Sequence, residues 1–268
     1  MKLIYIFILL SFYYPNYSYY GLILPTSSAH LLSADIHYNF KKNLLFNNLL
    51  FNNLSTSLIK LPNNINIGLL KYQYNRFDYY MESSMHSIHY GNFMDAESNY
   101  KFSSNDIILK HQVSKKINQF LYYSGSLKYI NSTIDNYNSN VLASELEFYY
   151  LNNQFILSSF LMNYGFIMDQ YTNYIESLPS SKGLSLIYKP QYINSLILLR
   201  YEKFNTYDII NIKNQIFIFN NSSSLSISYS SSALDLYSGN FNHDIFMGIG
   251  AGIETKYKTY LLNIAVQN

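Results

Sequence analysis

The chain has 268 residues, of which 18% are aromatic and only 13% are charged, and its formal net charge is +2. Soluble domains carry about 25% charged residues, and so small a net charge gives no support for a nucleic-acid or strongly acidic partner. The sequence contains no cysteine, which excludes disulfides, thiolate catalysis and cysteine-ligated zinc.

Residues 1–18 are predicted to be a signal peptide, which leaves a single domain over 19–268. Lys2 supplies the positive charge, Leu3 to Leu10 form the apolar run, Pro15 ends it, and Ser18 is the best candidate for cleavage. The run is shorter than the about 20 residues that a membrane-spanning helix needs. The alternative is a buried N-terminal strand of a soluble protein.

The next segment, Gly21 to Asn53, has no regular apolar pattern and is rich in Leu, Phe and Asn. We expect it to be irregular or partly helical and to pack inside or across one end of a barrel. The alternative is a poorly patterned pair of strands.

From residue 55 onward the sequence predicts a succession of β-strands, separated by turn-forming residues such as Pro62-Asn63-Asn64. Longer polar connections are predicted over 91–105, 131–139 and 165–180. The predicted strands are Ser55–Leu61, Ile65–Tyr74, Ser83–Tyr90, Asp106–Val113, Gln119–Ile130, Val141–Tyr150, Phe155–Tyr164, Gly183–Lys189, Ser195–Lys203, Ile212–Phe219, Leu225–Ser231, Ile245–Tyr257 and Tyr260–Val266.

Several of these strands have one apolar and one polar face. Serine occupies every second position from Ser222 to Ser230, with Leu225, Ile227 and Tyr229 between the serines. A strand directs successive side chains to opposite faces. A soluble sandwich would bury the apolar face, whereas a transmembrane barrel would turn it to lipid and the serines to the lumen. The low charge and the short turns favour an all-β, antiparallel transmembrane barrel of a dozen or more strands.

No residue is assigned to catalysis, a cofactor or a metal. His86 and His89, with Asp95 and Glu97 nearby, are the best metal candidates, but the two histidines fall on opposite faces of a predicted strand. Glu145 and Glu147 share one face and could in principle do acid–base chemistry.

For the glutamate pair, we favour a solvated lumenal or surface position over acid–base chemistry. The glycines from Gly248 to Gly252 lie within a predicted strand, where they favour a bend or close packing over a phosphate-binding loop. These patterns indicate a protein that is not an enzyme.

Residues 91–190 carry a resemblance to a known family. Tyr90-Gly91-Asn92-Phe93 is followed by Gly125-Ser126-Leu127-Lys128, then by Tyr137-Asn138-Ser139, and later by Leu178-Pro179 ahead of Gly183-Leu184-Ser185. In order and spacing they resemble the type IX secretion outer-membrane proteins of the PorV/PorQ group, and the PorQ branch more closely. These are relatives of the FadL-like barrels, and the resemblance implies about fourteen strands and a bacterial outer-membrane location.

The resemblance implies a non-enzymatic component of type IX secretion that anchors or binds secreted cargo or attachment-complex partners at the cell surface, with outer-membrane lipid around it. The FadL relationship implies an alternative, a channel for hydrophobic small molecules with an apolar pocket involving Leu44 to Leu54. A third hypothesis is a secreted soluble β protein with a structural or adhesive role.

Overall fold

The computed structural model describes residues 19, 22, 24, 30, 41, 44, 53–61, 64–94, 100–171, 177–205, 207–219, 222–231, 248–257 and 260–267. Within them, thirteen strands form one antiparallel sheet in which each strand pairs with the next along the chain. The strands are β1 (Asn53–Lys60), β2 (Asn66–Arg76), β3 (Tyr79–Met94), β4 (Lys101–Lys116), β5 (Leu121–Ile134), β6 (Tyr137–Leu151), β7 (Phe155–Asp169), β8 (Ser181–Tyr188), β9 (Ser195–Phe204), β10 (Asp208–Ile218), β11 (Ser223–Ser230), β12 (Ile249–Tyr257) and β13 (Tyr260–Gln267).

The two faces of the sheet have the polarity of a membrane barrel. On β11, Ile227 is 66% exposed on the outer face, whereas Ser224, Ser226 and Ser228 are buried on the inner face. β5 and β6 repeat this pattern, with leucine and aromatic side chains outward and serine, lysine or glutamate inward. A soluble sandwich would show the reverse, so the predicted fold class of a transmembrane β-barrel is confirmed.

The sheet curves around an enclosed interior. Side chains of six strands, β3 and β6 to β10, meet Leu44 in one buried cluster. Lys41 and Leu44 have helical backbone and lie inside the sheet, which agrees with the prediction of a partly helical segment packed in the barrel. Residues 1–18, with the predicted signal peptide, lie outside the described part of the chain.

Each predicted strand corresponds to an observed one, but several are longer than predicted. β3 and β4 extend across much of the segment 91–105, which the sequence assigned to a polar loop. The loop prediction for 131–139 was wrong, because β5 and β6 continue to a tight turn at Asp135-Asn136. Asp135 adopts a φ of 53° there, a conformation that Asp tolerates in hairpin turns. Polar strand ends carry no apolar alternation, which is why the sequence pattern missed them.

β1 and β13 are the two edges of the sheet, and no pairing joins them within the described residues. Because thirteen consecutive strands are antiparallel, β1 and β13 run in the same direction. A barrel that is antiparallel throughout has an even number of strands, so direct pairing of β1 with β13 would be parallel and would not give such a barrel.

The connections differ in length between the two ends of the sheet. One end, here called the long-loop end, carries the connections 61–65, 95–100, 135–136, 170–180, 205–207 and 231–248. The other, the short-turn end, carries 77–78, 117–120, 152–154, 189–194, 219–222 and 258–259. The three segments predicted as longer polar connections, 91–105, 131–139 and 165–180, therefore all lie at the long-loop end.

Three irregularities interrupt the register, one between β3 and β4 and two between β6 and β7, and two of them are bulges with a positive φ. In β3, Tyr90 and Gly91 oppose a single residue of β4, and Gly91 has a φ of 93°. In β7, Met162 and Asn163 oppose Glu145 alone, and Asn163 has a φ of 59°. The second bulge turns both of its side chains inward, so Asn163 enters the interior of the barrel. No helix among the described residues is long and apolar enough to cross a membrane.

Candidate functional site

The interior of the barrel is layered along its axis, and β6 crosses every layer. From the long-loop end, its inward side chains are Ser139, then Val141 and Ala143, then Glu145 and Glu147, and finally Tyr149. The sequence thus places two carboxylates between two apolar regions on one face of one strand.

Two buried apolar clusters fill the ends of the interior. The long-loop cluster consists of Tyr19, Leu22, Ile67, Ile88, Ile108, Ile130, Val141, Ala143 and Leu178. The short-turn cluster consists of Leu44, Tyr80, Tyr149, Ile156, Ile187, Leu196, Leu198 and Phe217. Tyr19 and Leu22 of the N-terminal segment contribute to the first cluster and Leu44 to the second, so this segment packs into both ends of the lumen.

A belt of buried charge separates the two clusters. Lys110 on β4 reaches Glu145 at 2.7 Å, and Lys128 on β5 forms an ion pair with the same carboxylate. Ser126 also donates a hydrogen bond to Glu145 at 2.8 Å. Lys128 Nζ donates a second bond, of 2.8 Å, to Oδ1 of Asn163. The β7 bulge places this acceptor inside the barrel. In a regular strand, consecutive side chains alternate between the two faces, so either Met162 or Asn163 would point outward.

The second carboxylate binds the N-terminal segment. Lys41 Nζ lies 2.5 Å from Glu147 Oε1, and both side chains are almost fully buried. Tyr149 donates to the other carboxylate oxygen at 2.9 Å. Lys41 also donates to Ser158 and Ser185, each at 2.9 Å. A cation from the lumenal segment is therefore held by residues of three strands.

A fourth buried ion pair lies on β9. Arg200 on β9 donates through Nε at 3.1 Å and through Nη2 at 3.0 Å to one carboxylate oxygen of Glu202. Its guanidinium stacks 3.8 Å above the centroid of the Phe160 ring. Ser181 of β8 donates to the other carboxylate oxygen. In a medium of low dielectric, the two side chains of such a pair stay together, because separating them would leave an unpaired buried charge, which is strongly destabilising.

The structure settles the placement of the residues that the sequence singled out. Glu145 and Glu147 share the inner face as predicted, but the interpretation of a solvated pair was wrong, because lysines and the lumenal segment enclose them. His86 is buried on the inner face, whereas His89 is on the outer face and lies 2.7 Å from Asn105 Oδ1. Asp95 and Glu97 lie outside the described residues. Gly250 and Gly252 lie within β12, as predicted.

Sequence reasoning missed Lys41, Lys110 and Arg200 as members of this belt. Lys110 lies at an inward position of β4. Its alternation with the apolar Leu109 could have indicated from the sequence that Lys110 faces the lumen. Lys41 lies in the unpatterned segment, where no periodicity indicates a partner.

The predicted apolar pocket from Leu44 to Leu54 does not form as one site, because the two leucines lie on opposite sides of the sheet. Leu44 is inside, whereas Leu54 is 64% exposed on the outer face. Leu54 instead lines an open groove of about 550 Å³ that is formed mainly by outward side chains of β1 to β6, including Leu70, Met85, Leu109 and Leu127. Residues 45–52 lie outside the described part of the chain.

Contacts between neighbouring connections order the rim at the long-loop end. Tyr100, just before β4, donates a hydrogen bond of 2.9 Å to Asp135 in the turn between β5 and β6. This bond and the negative charge of Asp135 raise the pKa of the Tyr100 hydroxyl, since both favour its protonated form. The two connections therefore hold each other in place.

Comparison with known proteins gives a likeness of fold. No protein-family model matches the chain, and no curated protein matches it. Among solved structures, it is similar to the toluene transporter TodX of Pseudomonas putida, with a TM-score of 0.51 and 10% sequence identity over 75% of this chain and 76% of that one. This likeness is one of fold alone. This agrees with the FadL relationship implied by the sequence, and nothing in the comparison is specific to the PorV/PorQ group.

Proposed function

We propose that this chain is an outer-membrane channel for hydrophobic small molecules. The observation that carries the proposal is the layered lumen, in which an apolar cluster lies at each end and Tyr19, Leu22 and Leu44 of the N-terminal segment pack against the strands. The likeness in fold to a toluene transporter supports the same class of substrate. The nearest alternative within a barrel, an open aqueous pore, would have a polar and hydrated lumen.

The proposed path runs between the two apolar clusters and is closed by the charged belt. Glu147 and Lys41 form its most enclosed pair, and the lysine belongs to the segment inside the lumen rather than to the wall. Passage of a substrate then requires this segment to move. In the outer membrane, long loops usually face the exterior and short turns the periplasm, so we place the long-loop end outside the cell.

Uptake by a deletion strain tests the proposal. Deletion of the gene should lower the initial rate of radiolabelled toluene uptake at low external concentration, and the wild-type gene supplied in trans should restore it. The strain with the empty vector is the control, together with uptake of a small hydrophilic sugar, which should not change. Normal toluene uptake in the deletion strain would contradict the channel.

A second candidate function is the one implied by the PorV/PorQ resemblance, a type IX secretion component that binds cargo or an attachment partner. One observation favours it, since the connections 95–100, 135–136 and 170–180 gather at the same end of the barrel. Binding residues concentrate on loops that a rigid scaffold holds. Unattached cargo in the deletion strain, with unchanged toluene uptake, would support this candidate. Replacing 170–180 by a short turn should then weaken recovery of the partner while the barrel still folds.

A further inference from the structure

Within the part of the chain that the structure describes, the inner face of β10 and β11 carries buried polar groups without hydrogen-bond partners. Asn211 of β10 is 1% exposed, and neither the oxygen nor the nitrogen of its side-chain amide has a hydrogen-bond partner among the described residues. Ser228 of β11 is 3% exposed, and its Oγ is likewise unpaired. Native proteins satisfy nearly all such buried groups, so each exception indicates a missing partner.

Strand register brings the two residues together. Asn211 is opposite Ser230 on β11, and Ser228 is opposite Lys213 on β10. Asn211 and Ser228 are therefore diagonal neighbours on one face, about 7–8 Å apart. Ser228 is also opposite Gly250 of β12, which has no side chain to occupy the adjoining space.

The neighbouring side chains are engaged elsewhere. Arg200, opposite Asn211 on β9, binds Glu202. Gln215 donates to Ser224 at 2.6 Å, and Lys213 has a partner of its own. On β10 and β11, the buried polar atoms without a hydrogen-bond partner among the described residues are thus one amide donor, one amide acceptor and one hydroxyl, all uncharged.

The chemistry of these groups selects the ligand. A primary carboxamide or an alcohol presents a donor and an acceptor together, which matches the amide of Asn211 and the hydroxyl of Ser228. A carboxylate has only acceptors, so it could pair with the Asn211 nitrogen and the Ser228 hydroxyl but would leave the Asn211 oxygen without a donor. A hydrocarbon would leave every group unpaired.

We propose that Asn211 and Ser228 form a lumenal subsite for the neutral, hydrogen-bonding head group of an otherwise apolar molecule, a carboxamide or an alcohol. The subsite rests on the proposed function, because it deepens the class of molecule that the channel takes. It distinguishes amphipathic neutral substrates from pure hydrocarbons and from organic anions.

Binding to the purified full chain in lipid nanodiscs tests the subsite by equilibrium dialysis. The radiolabelled probes are toluene, benzamide and benzoate, which share a ring and differ in one substituent. Asn211→Leu keeps the side-chain volume and removes both polar atoms. It should lower the preference for benzamide over toluene about tenfold, since two neutral hydrogen bonds are lost. Toluene affinity should stay unchanged.

Two further variants make the test specific. Ser228→Ala removes one hydroxyl and should lower the preference for benzamide over toluene by a smaller factor. This variant replaces Asn211→Leu in the test if Asn211→Leu does not fold. Gln215→Met, on the same strand and face, removes an amide that is already paired, and should leave the preference unchanged.

Three outcomes would overturn the subsite. If the preference were equal in wild type and in both variants, Asn211 and Ser228 would meet water only. Tighter binding of benzoate than of benzamide would reject a neutral head group. If no probe bound, toluene included, the proposed channel would fail together with its subsite, which separates that failure from the first two.

Discussion

Replacing Glu147 by glutamine should release the N-terminal segment from the lumen. The substitution keeps the shape of the side chain but removes the charge that lies 2.5 Å from Lys41 Nζ. Lys41 would retain its bonds to Ser158 and Ser185, yet its buried ammonium group would lose the carboxylate of Glu147. Hydroxyl oxygens stabilise a cation only in part. The state with Lys41 inside the lumen therefore loses stability relative to the state with Lys41 outside it.

The size of the effect follows from the burial of both partners. Breaking a buried ion pair by removing one partner costs about 3–5 kcal/mol. That free energy corresponds to an increase of about a hundredfold or more in the population with Lys41 outside the lumen. The double variant Lys41→Met with Glu147→Gln removes both charges, and its free energy of unfolding should lie closer to that of wild type than Glu147→Gln alone.

Limited trypsin digestion measures the release directly. Lys41 is fully buried in the wild type, so cleavage after Lys41 requires the segment to leave the lumen. Its rate, followed by mass spectrometry of the fragments, should rise about a hundredfold in Glu147→Gln, in line with the free energy above. Glu82→Gln is the matched control, because Glu82 pairs with Lys71 at 3.6 Å near the solvent and not with Lys41. Equal cleavage rates in wild type and Glu147→Gln would refute the role of the ion pair.

Two other substitutions probe the wall, and heat-modifiable gel mobility reports folding for both. Ile227→Arg places a charge on the lipid-facing side of β11 and should lower the free energy of unfolding in bilayers by about 2–4 kcal/mol. Tyr192→Arg, in an exposed turn, is the control and should not lower it. Equal effects of the two substitutions would argue against a lipid-facing β11. Gly165→Ala should impair folding, because a Cβ there would lie 2.0 Å from the Leu142 carbonyl oxygen. Gly68→Ala, whose nearest neighbours are at 3.9 Å, should fold normally, and a well-folded Gly165→Ala would show that β6 and β7 can separate at this point.

The strands and their faces followed from the sequence alone. A strand alternates its side chains with a period of two, so the serines of β11 and the apolar residues between them were assigned to opposite faces before any pairing was known. The same reasoning placed Glu145 and Glu147 on one face, and His86 and His89 on two. This information is local, and neighbouring residues are enough to specify it.

The partners inside the lumen were decided by tertiary structure. Glu147 meets Lys41 only because the N-terminal segment enters the barrel, and Glu145 meets Lys110 and Lys128 only because β4, β5 and β6 pair in one register. A slip of one residue would turn these side chains to the outer face. The exposure of the glutamates was misjudged for the same reason, since burial depends on segments distant in the chain, and a period of two carries no information about them.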